Sequence, residues 1–214
     1  MDTTIYKSTG WSLIVGSVLA MITMTLHPAG GSLEHILQVS GPLKIAHTIA
    51  IFSLPFILFG FYGLSVMLSG KWKLSTLAFI ITSLGIIAAM LAALFNGLVL
   101  PDFLESYYDS EGVDRTVIKT VIDYGFVINK MLDYVFIAAL CISIFLKSVL
   151  MVWHQNSIKY LGYFGIFIFL VAGISLTLRL EFTNLINFRI FVFSMAGWIL
   201  FAGRALIINH NKDK

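Results

Sequence analysis

Residues Gly125–Leu146 read GFVINKMLDYVFIAALCISIFL, an apolar run of the length that a helix needs to cross a lipid bilayer. Near its start the run carries Asn129, Lys130 and Asp133, three polar side chains that lipid does not accept without partners. We therefore expect the rest of the chain to supply partners for these three residues, and to consist largely of helices of the same kind.

The composition of the whole chain is typical of a polytopic membrane protein. Of its 214 residues, 58% are hydrophobic and only 12% are charged, whereas about 25% of the residues in a soluble domain are charged. The apolar runs do not alternate with polar residues as the strands of a membrane barrel do. We predict an all-α fold whose main partner is the lipid bilayer.

Charge and cysteine content exclude several classes of protein. The net charge is +3, but no dense run of Lys and Arg is present, so we predict no nucleic-acid partner. Cys141 is the only cysteine, which excludes intrachain disulfides and cysteine-rich metal sites.

Six apolar runs predict six transmembrane helices in one bundle that forms a single domain, residues 1–214. Their approximate bounds are 11–26, 43–68, 74–100, 125–146, 160–178 and 188–208, and Pro101 is expected to end the third. The first run resembles a signal peptide, but His27 and Pro28 follow it in place of a small-residue cleavage site. We therefore expect a retained helix.

The distribution of charge predicts the orientation of the bundle. The short connections around Lys73 and Lys147 are basic, whereas the long connection over residues 101–124 is acidic. The positive-inside rule then favours cytoplasmic termini and places the connections 27–42 and 101–124 outside. A short, Ile/Phe-rich chain of this kind resembles many bacterial multi-pass proteins, so the expected location is the cell (inner or plasma) membrane.

Polar residues converge on the outer ends of the predicted helices. Asn129, Lys130 and Asp133 share one face of the fourth helix, and Asp133 lies about 12 Å below its outer boundary. Other helices bring further polar residues to the same side: His27, His47, Asn96, Arg179 and Glu181. The inner halves hold no ionisable residue before the expected boundary positions, Lys71, Lys147 and Arg204.

This one-sided pattern predicts an outward-facing pocket and not a pore, because an ion path would also need polar groups along its inner half. The leading hypothesis is a non-enzymatic, transporter- or sensor-like protein that binds a small polar ligand or ion. Asp133 would be the anionic contact or proton acceptor. The predicted ligand-binding residues are Asp133, Lys130, Asn129, Asn96, Arg179 and Glu181. Alternatively, Lys130 and Asp133 form an i,i+3 ion pair that is purely structural.

Three histidines, His27, His35 and His47, are the candidate metal ligands. Three imidazoles with one open position form a catalytic zinc arrangement. The competing hypothesis is therefore a membrane-embedded, metal-dependent enzyme, with Glu34 or Asp102 as the base. The histidine spacing matches no dense motif such as HExxH, so we expect no cofactor, with zinc as the first alternative and a haem held by His27 and His47 as a weaker one.

Small residues recur at helical spacing on several predicted helices, among them Gly16, Gly60 and Gly63. Small residues let helix backbones approach closely in lipid. Packing within one bundle is the expected use of these faces, and a homo-oligomer interface is the alternative. A third hypothesis is a structural subunit that partners another membrane protein.

Overall fold

The computed structural model describes residues 3–69, 73–108, 110, 114–154, 158–178 and 185–210. All regular elements in these ranges are helical, which confirms the all-α prediction. The α-helices are α1 (Thr3–Leu26), α2 (Leu33–Gln38), α3 (Ser40–Leu68), α4 (Leu74–Leu94), α5 (Leu100–Tyr107), α6 (Arg115–His154), α7 (Lys159–Thr177) and α8 (Leu185–His210). A π-helical segment, Phe95–Val99, joins α4 to α5.

Five helical segments are long and apolar enough to cross a membrane: Thr4–Leu26, Ser40–Leu68, Leu74–Tyr107, Arg115–Trp153 and Leu185–Ile208. Their outer faces expose large apolar side chains such as Phe52 (66% exposed) and Leu84 (57% exposed), which water would solvate poorly. Within the described residues, the apolar part of α7 is shorter, Lys159–Ser175. A multi-pass membrane protein fits these features, while the count of six spans and the orientation stay predictions.

The long helices form a ring in chain order. Helix α1 packs mainly against α3 and α8, α4 packs against α3 and α6, and α7 packs against α6 and more lightly against α8. The main core lies inside this ring and contains Phe61, Ile144 and Trp198 among its buried residues. Helices α2 and α5 lie across one end of the ring. We call residues 27–39 and 100–108 the cap, and this end of the bundle the capped end.

Most of the described helices extend beyond their approximate predicted bounds, whereas α7 ends at Thr177, one residue before its predicted end. Helix α1 begins at Thr3 and α6 at Arg115, so much of the predicted connection 101–124 is helical. Pro101 does not end the third predicted helix, because it lies in the first turn of α5, where its missing N–H is not needed. In the other connection, the Ser32 Oγ accepts a hydrogen bond from the His35 N–H at 3.3 Å and so caps α2.

Lys147 is not the exposed boundary residue that we expected. Helix α6 continues to His154, and the Lys147 side chain is fully buried in the core. Its Nζ donates to the Ser143 Oγ at 3.2 Å and lies 5.2 Å from the centre of the Phe61 ring. Lys147 follows Asn129 by 18 residues, or five helical turns, so it continues the polar face of α6 into the other half of the bundle.

Several of the small residues at helical spacing form contacts between helices of the same molecule. A Cβ atom at Gly16 would meet the backbone of α3 at Ile57 N, 3.0 Å away, and one at Gly63 would overlap the side chain of Thr9 on α1. These glycines therefore let α1 and α3 pack closely, as small residues do in lipid. A homo-oligomer through small-residue faces stays a prediction.

We predict that Gly63→Ala lowers the free energy of unfolding by about 1–3 kcal/mol, the usual range for overpacking a tight contact. The matched control is Gly173→Ala on α7, where an added Cβ would meet no atom within 4 Å. The control should be neutral or stabilising by up to about 1 kcal/mol, because alanine is the better helix former. Equilibrium unfolding in detergent measures both variants, and equal effects would contradict the close α1–α3 packing.

Candidate functional site: a cavity at the capped end

The bundle encloses a cavity of about 470 Å³, lined by residues of α1, α3, α4, α6 and α8. Along α6 the lining runs from Phe126 to Leu140, a length of about 21 Å at 1.5 Å per residue. This volume lies in the range of cavities that hold small organic ligands. A smaller cavity of about 80 Å³ continues towards the cap and shares His27 and Asn96 with the larger one.

Six polar residues line the capped end of the cavity: His27, His47, Asn96, Asn129, Lys130 and Asp133. Four of them are predicted ligand-binding residues and two are predicted metal ligands. They come from four different segments of the chain, so the fold brings together residues that are far apart in sequence.

The far end of the cavity is apolar. Its walls include Leu54, Ile57, Ile86, Leu140, Met195 and Ile199. Two hydroxyls also lie along the walls, but Ser17 donates to the Leu13 carbonyl and Ser53 to the Ala50 carbonyl, both at 2.6 Å. The cavity thus has one polar end and one apolar end, an arrangement that suits a ligand with a polar head and an apolar body.

Asp133 has little compensation for its charge. Its carboxylate accepts a hydrogen bond from the Asn129 Nδ2 at 2.9 Å. The ion pairs among the described residues join Lys44 or Lys119 to other acidic residues, and none includes Asp133 or Lys130. The alternative i,i+3 ion pair between Lys130 and Asp133 is therefore absent from this part of the chain, although both residues line the cavity.

Two oxygen atoms at the polar end lack hydrogen-bond partners among the described residues, while Lys130 brings a donor group to the same end. A carboxylate can only accept, so the Asn129 amide must turn its nitrogen to Asp133 and its Oδ1 away. The Asn129 Oδ1 and the Thr23 Oγ1 are buried without a hydrogen-bond partner among the described residues. Unpartnered polar atoms are costly in an apolar bundle. The amide oxygen can only accept and the hydroxyl can accept, so a bound group that donates hydrogen bonds would satisfy both.

His27 and His47 face each other across the capped end, with ring centres 4.8 Å apart. The Nδ1 of His27 lies 2.8 Å from the Pro28 carbonyl oxygen, and the Nδ1 of His47 lies 2.9 Å from that of Leu43. A carbonyl accepts only, so each Nδ1 carries the proton. When the rings are neutral, each Nε2 is therefore an unprotonated acceptor. Burial lowers the pKa of His27, which favours its neutral form.

The π-helical segment shapes the cavity next to His47. It contains Asn96 and Gly97, and a Cβ at Gly97 would overlap the Cβ and Cγ of His47. The glycine therefore gives the imidazole room to lie against the wide π turn. Segments of this kind occur often at functional sites, and no local sequence pattern indicates this one.

Among the described residues, the one other predicted site residue, His35, is not in the cavity lining. Arg179 and Glu181 lie outside the described residues. His35 lies on α2, where its Nε2 is 3.2 Å from the Ala29 carbonyl oxygen. The described part of the chain holds no group of three or more His, Cys, Asp or Glu side chains that could share a metal ion. The structure thus brings together two of the three predicted metal ligands, and the zinc hypothesis remains a prediction.

The two acidic residues suggested as an enzymatic base belong to the cap. The Glu34 Oε1 accepts a hydrogen bond from the Tyr108 hydroxyl at 2.7 Å, and the Asp102 Oδ1 lies 2.5 Å from the Lys44 Nζ. Lys44 also pairs with the Glu105 Oε2 at 2.7 Å. These contacts link α2, α3 and α5, so the acidic residues hold the cap together above the cavity.

Arg189 was not among the predicted site residues, but it contacts the end of α1 next to the histidine pair. Its Nη2 donates to the backbone carbonyl of His27 at 2.7 Å, which ties α8 to the end of α1 beside the histidine pair. Its position at the start of α8 was visible in the sequence, but the carbonyl partner lies 162 residues away and no local pattern indicates it.

No protein family, curated protein or solved structure matches this chain. Function is therefore inferred from the side chains of the cavity alone.

We predict that the contact between Tyr108 and Glu34 makes the stability of the cap depend on pH. The hydrogen bond from Tyr108 is the largest of several contacts, including those with the Glu34 backbone, Ser32 and Arg115, that together lower the pKa of Glu34 to about 2. Between pH 4.5 and pH 2, the folded state keeps this carboxylate ionised while the unfolded chain binds a proton. The stabilisation is therefore complete well above pH 4.5 and disappears as the pH falls towards 2.

The variant Tyr108→Phe should therefore lower the melting temperature at pH 6, and the difference from wild type should shrink as the pH falls from 4.5 to 3. Thermal unfolding in detergent at several pH values measures this. A difference that does not change with pH would show that Tyr108 stabilises the cap only by packing.

Proposed function

We propose that the protein is a multi-pass membrane protein that binds a small amphipathic organic cation in this cavity, as a transporter or a sensor. A protonated amine of the ligand would lie against Asp133, and its apolar body would extend towards Leu140. The proposal also places the capped end outside the cytoplasm, because the acidic connection and the positive-inside rule favour that orientation.

The observation that carries the proposal is that the Asp133 carboxylate has few partners for its charge. A carboxylate inside an apolar bundle needs a positive charge or several hydrogen bonds nearby. Asp133 has one hydrogen bond, from Asn129, and no ion pair among the described residues. A ligand ammonium would supply both the missing charge and further hydrogen-bond donors.

The neighbouring acceptors support the same ligand class. The Asn129 Oδ1 and the Thr23 Oγ1 lack partners among the described residues, and an ammonium or guanidinium group can donate several hydrogen bonds at once. Lys130 also lines the cavity and would disfavour a second positive charge on the ligand. We therefore expect a monocation, or a zwitterion whose anionic group lies towards Lys130.

A test uses three compounds with one tail: hexylamine, hexanol and hexanoate. We predict that hexylamine binds the purified wild-type protein more tightly than hexanol, and that hexanoate binds least. Asp133→Asn should weaken hexylamine binding by about 10–100-fold, because a hydrogen bond to a charged group contributes about 1.5–3 kcal/mol. Isothermal titration in detergent measures these affinities.

The control is Asp123→Asn, which removes a carboxylate of the same helix. Asp123 pairs with Lys119 and its side chain is 56% exposed, away from the cavity. This variant should bind hexylamine as wild type does. The proposal fails if Asp133→Asn keeps full affinity for hexylamine, or if hexanoate is the preferred compound.

A further inference from the structure

The histidine pair at the capped end is a second place where lone pairs lack partners. The Nδ1 of each ring is bonded to a backbone carbonyl, so both unprotonated Nε2 atoms belong to rings whose centres are 4.8 Å apart. No hydrogen bond to either Nε2 occurs among the described residues. A backbone carbonyl that holds the second ring nitrogen is the support that metal-bound histidines usually have.

The spacing of the two rings suits a shared metal ion. With a metal–nitrogen bond of about 2.0 Å and about 1.1 Å from nitrogen to ring centre, centres 4.8 Å apart subtend an angle of about 100° at the metal. That angle fits three or four ligands. Two-coordinate, linear binding would need the ring centres about 6 Å apart by the same bond lengths.

The other possible ligands near the histidine pair favour one metal over another. No third His, Cys, Asp or Glu joins the pair among the described residues, whereas zinc sites usually have at least three such ligands. Met24 also lines the cavity. It precedes His27 by three residues, and the bond from the His27 N–H to the Thr23 carbonyl at 2.9 Å continues the helix, so both residues share a face.

We propose that His27, His47 and Met24 bind one Cu(I) ion, with each imidazole binding through its Nε2. Two neutral imidazoles and a thioether form a soft, uncharged ligand set that favours Cu(I) over zinc. The site lies beside the organic-cation site and does not depend on it, because Asp133 is not one of its ligands.

Two other features support the histidine pair in this role, one at each residue. Gly97 leaves room for the imidazole against the π turn, and Arg189 fixes the carbonyl of His27 through its Nη2. Arg189 therefore positions the end of α1 and does not itself bind the ion. Gly97 on the π-helical segment and Arg189 on α8 thus support the two rings at the capped end.

The test is a titration of the purified, full-length protein with Cu(I) in competition with bathocuproine disulfonate. We expect one Cu(I) per chain in wild type. His27→Ala and His47→Ala should each weaken Cu(I) binding by at least tenfold, and Met24→Leu by a smaller factor. The matched control, His35→Ala, removes a histidine outside the cavity and should bind within threefold of wild type. X-ray absorption should show two nitrogens and one sulfur at the metal.

Three results would overturn the proposal: no Cu(I) bound by wild type, an equal loss in His35→Ala, or stoichiometric zinc binding without Cu(I). The wild-type titration shows whether the protein binds Cu(I) even if a histidine variant fails to fold. Asp133→Asn should keep its Cu(I) while it loses hexylamine, so failure of this site and failure of the organic-cation site are distinguishable.

Discussion

The hydrogen bond from Asn129 to Asp133 is the one contact that the described residues offer to a carboxylate inside an apolar bundle. Placing a charge there is costly unless it is paired. The surrounding fold does not remove that cost with a lysine, although Lys130 is only three residues away on the same helix. It instead leaves a cavity beside the carboxylate, which is the structural basis for proposing a cationic ligand.

The two ends of the cavity follow from how the ring of helices is assembled. Glycines such as Gly16 and Gly63 let α1 and α3 pack closely, while the π turn and Gly97 widen the capped end next to His47. The cap is held by a buried apolar cluster that includes Ile36, Leu104 and Ile122. Ion pairs of Lys44 with Asp102 and Glu105 add to it at the surface, where such contacts contribute little stability each.

Much of this site was predictable because the polar residues violate the apolar pattern. Asn129, Lys130 and Asp133 share a helical face by their spacing, and His27, His47 and Asn96 lie at helix ends of the same side. Four of the six predicted ligand-binding residues line one cavity, and two of the six lie outside the described residues. The all-helical class followed from composition alone.

The failures have physical reasons. The π turn depends on how α4 packs against His47, and the partner of Arg189 is a backbone carbonyl, so neither leaves a local sequence signal. The absence of a Lys130–Asp133 pair depends on side-chain geometry that spacing does not fix. The burial of Lys147 was not predicted because Lys147 follows the end of the apolar run, although the 18 residues that separate it from Asn129 place both on the same helical face.

The most direct test of the account is the accessibility of the cavity from one side of the membrane. In a Cys141→Ala background, Asn129→Cys places a thiol in the cavity lining and Lys147→Cys places one in the buried core. A membrane-impermeant thiol reagent should label position 129 from the side of the cap only, and position 147 from neither side. Labelling of position 147, or of position 129 only from the opposite side, would contradict a cavity that opens at the capped end.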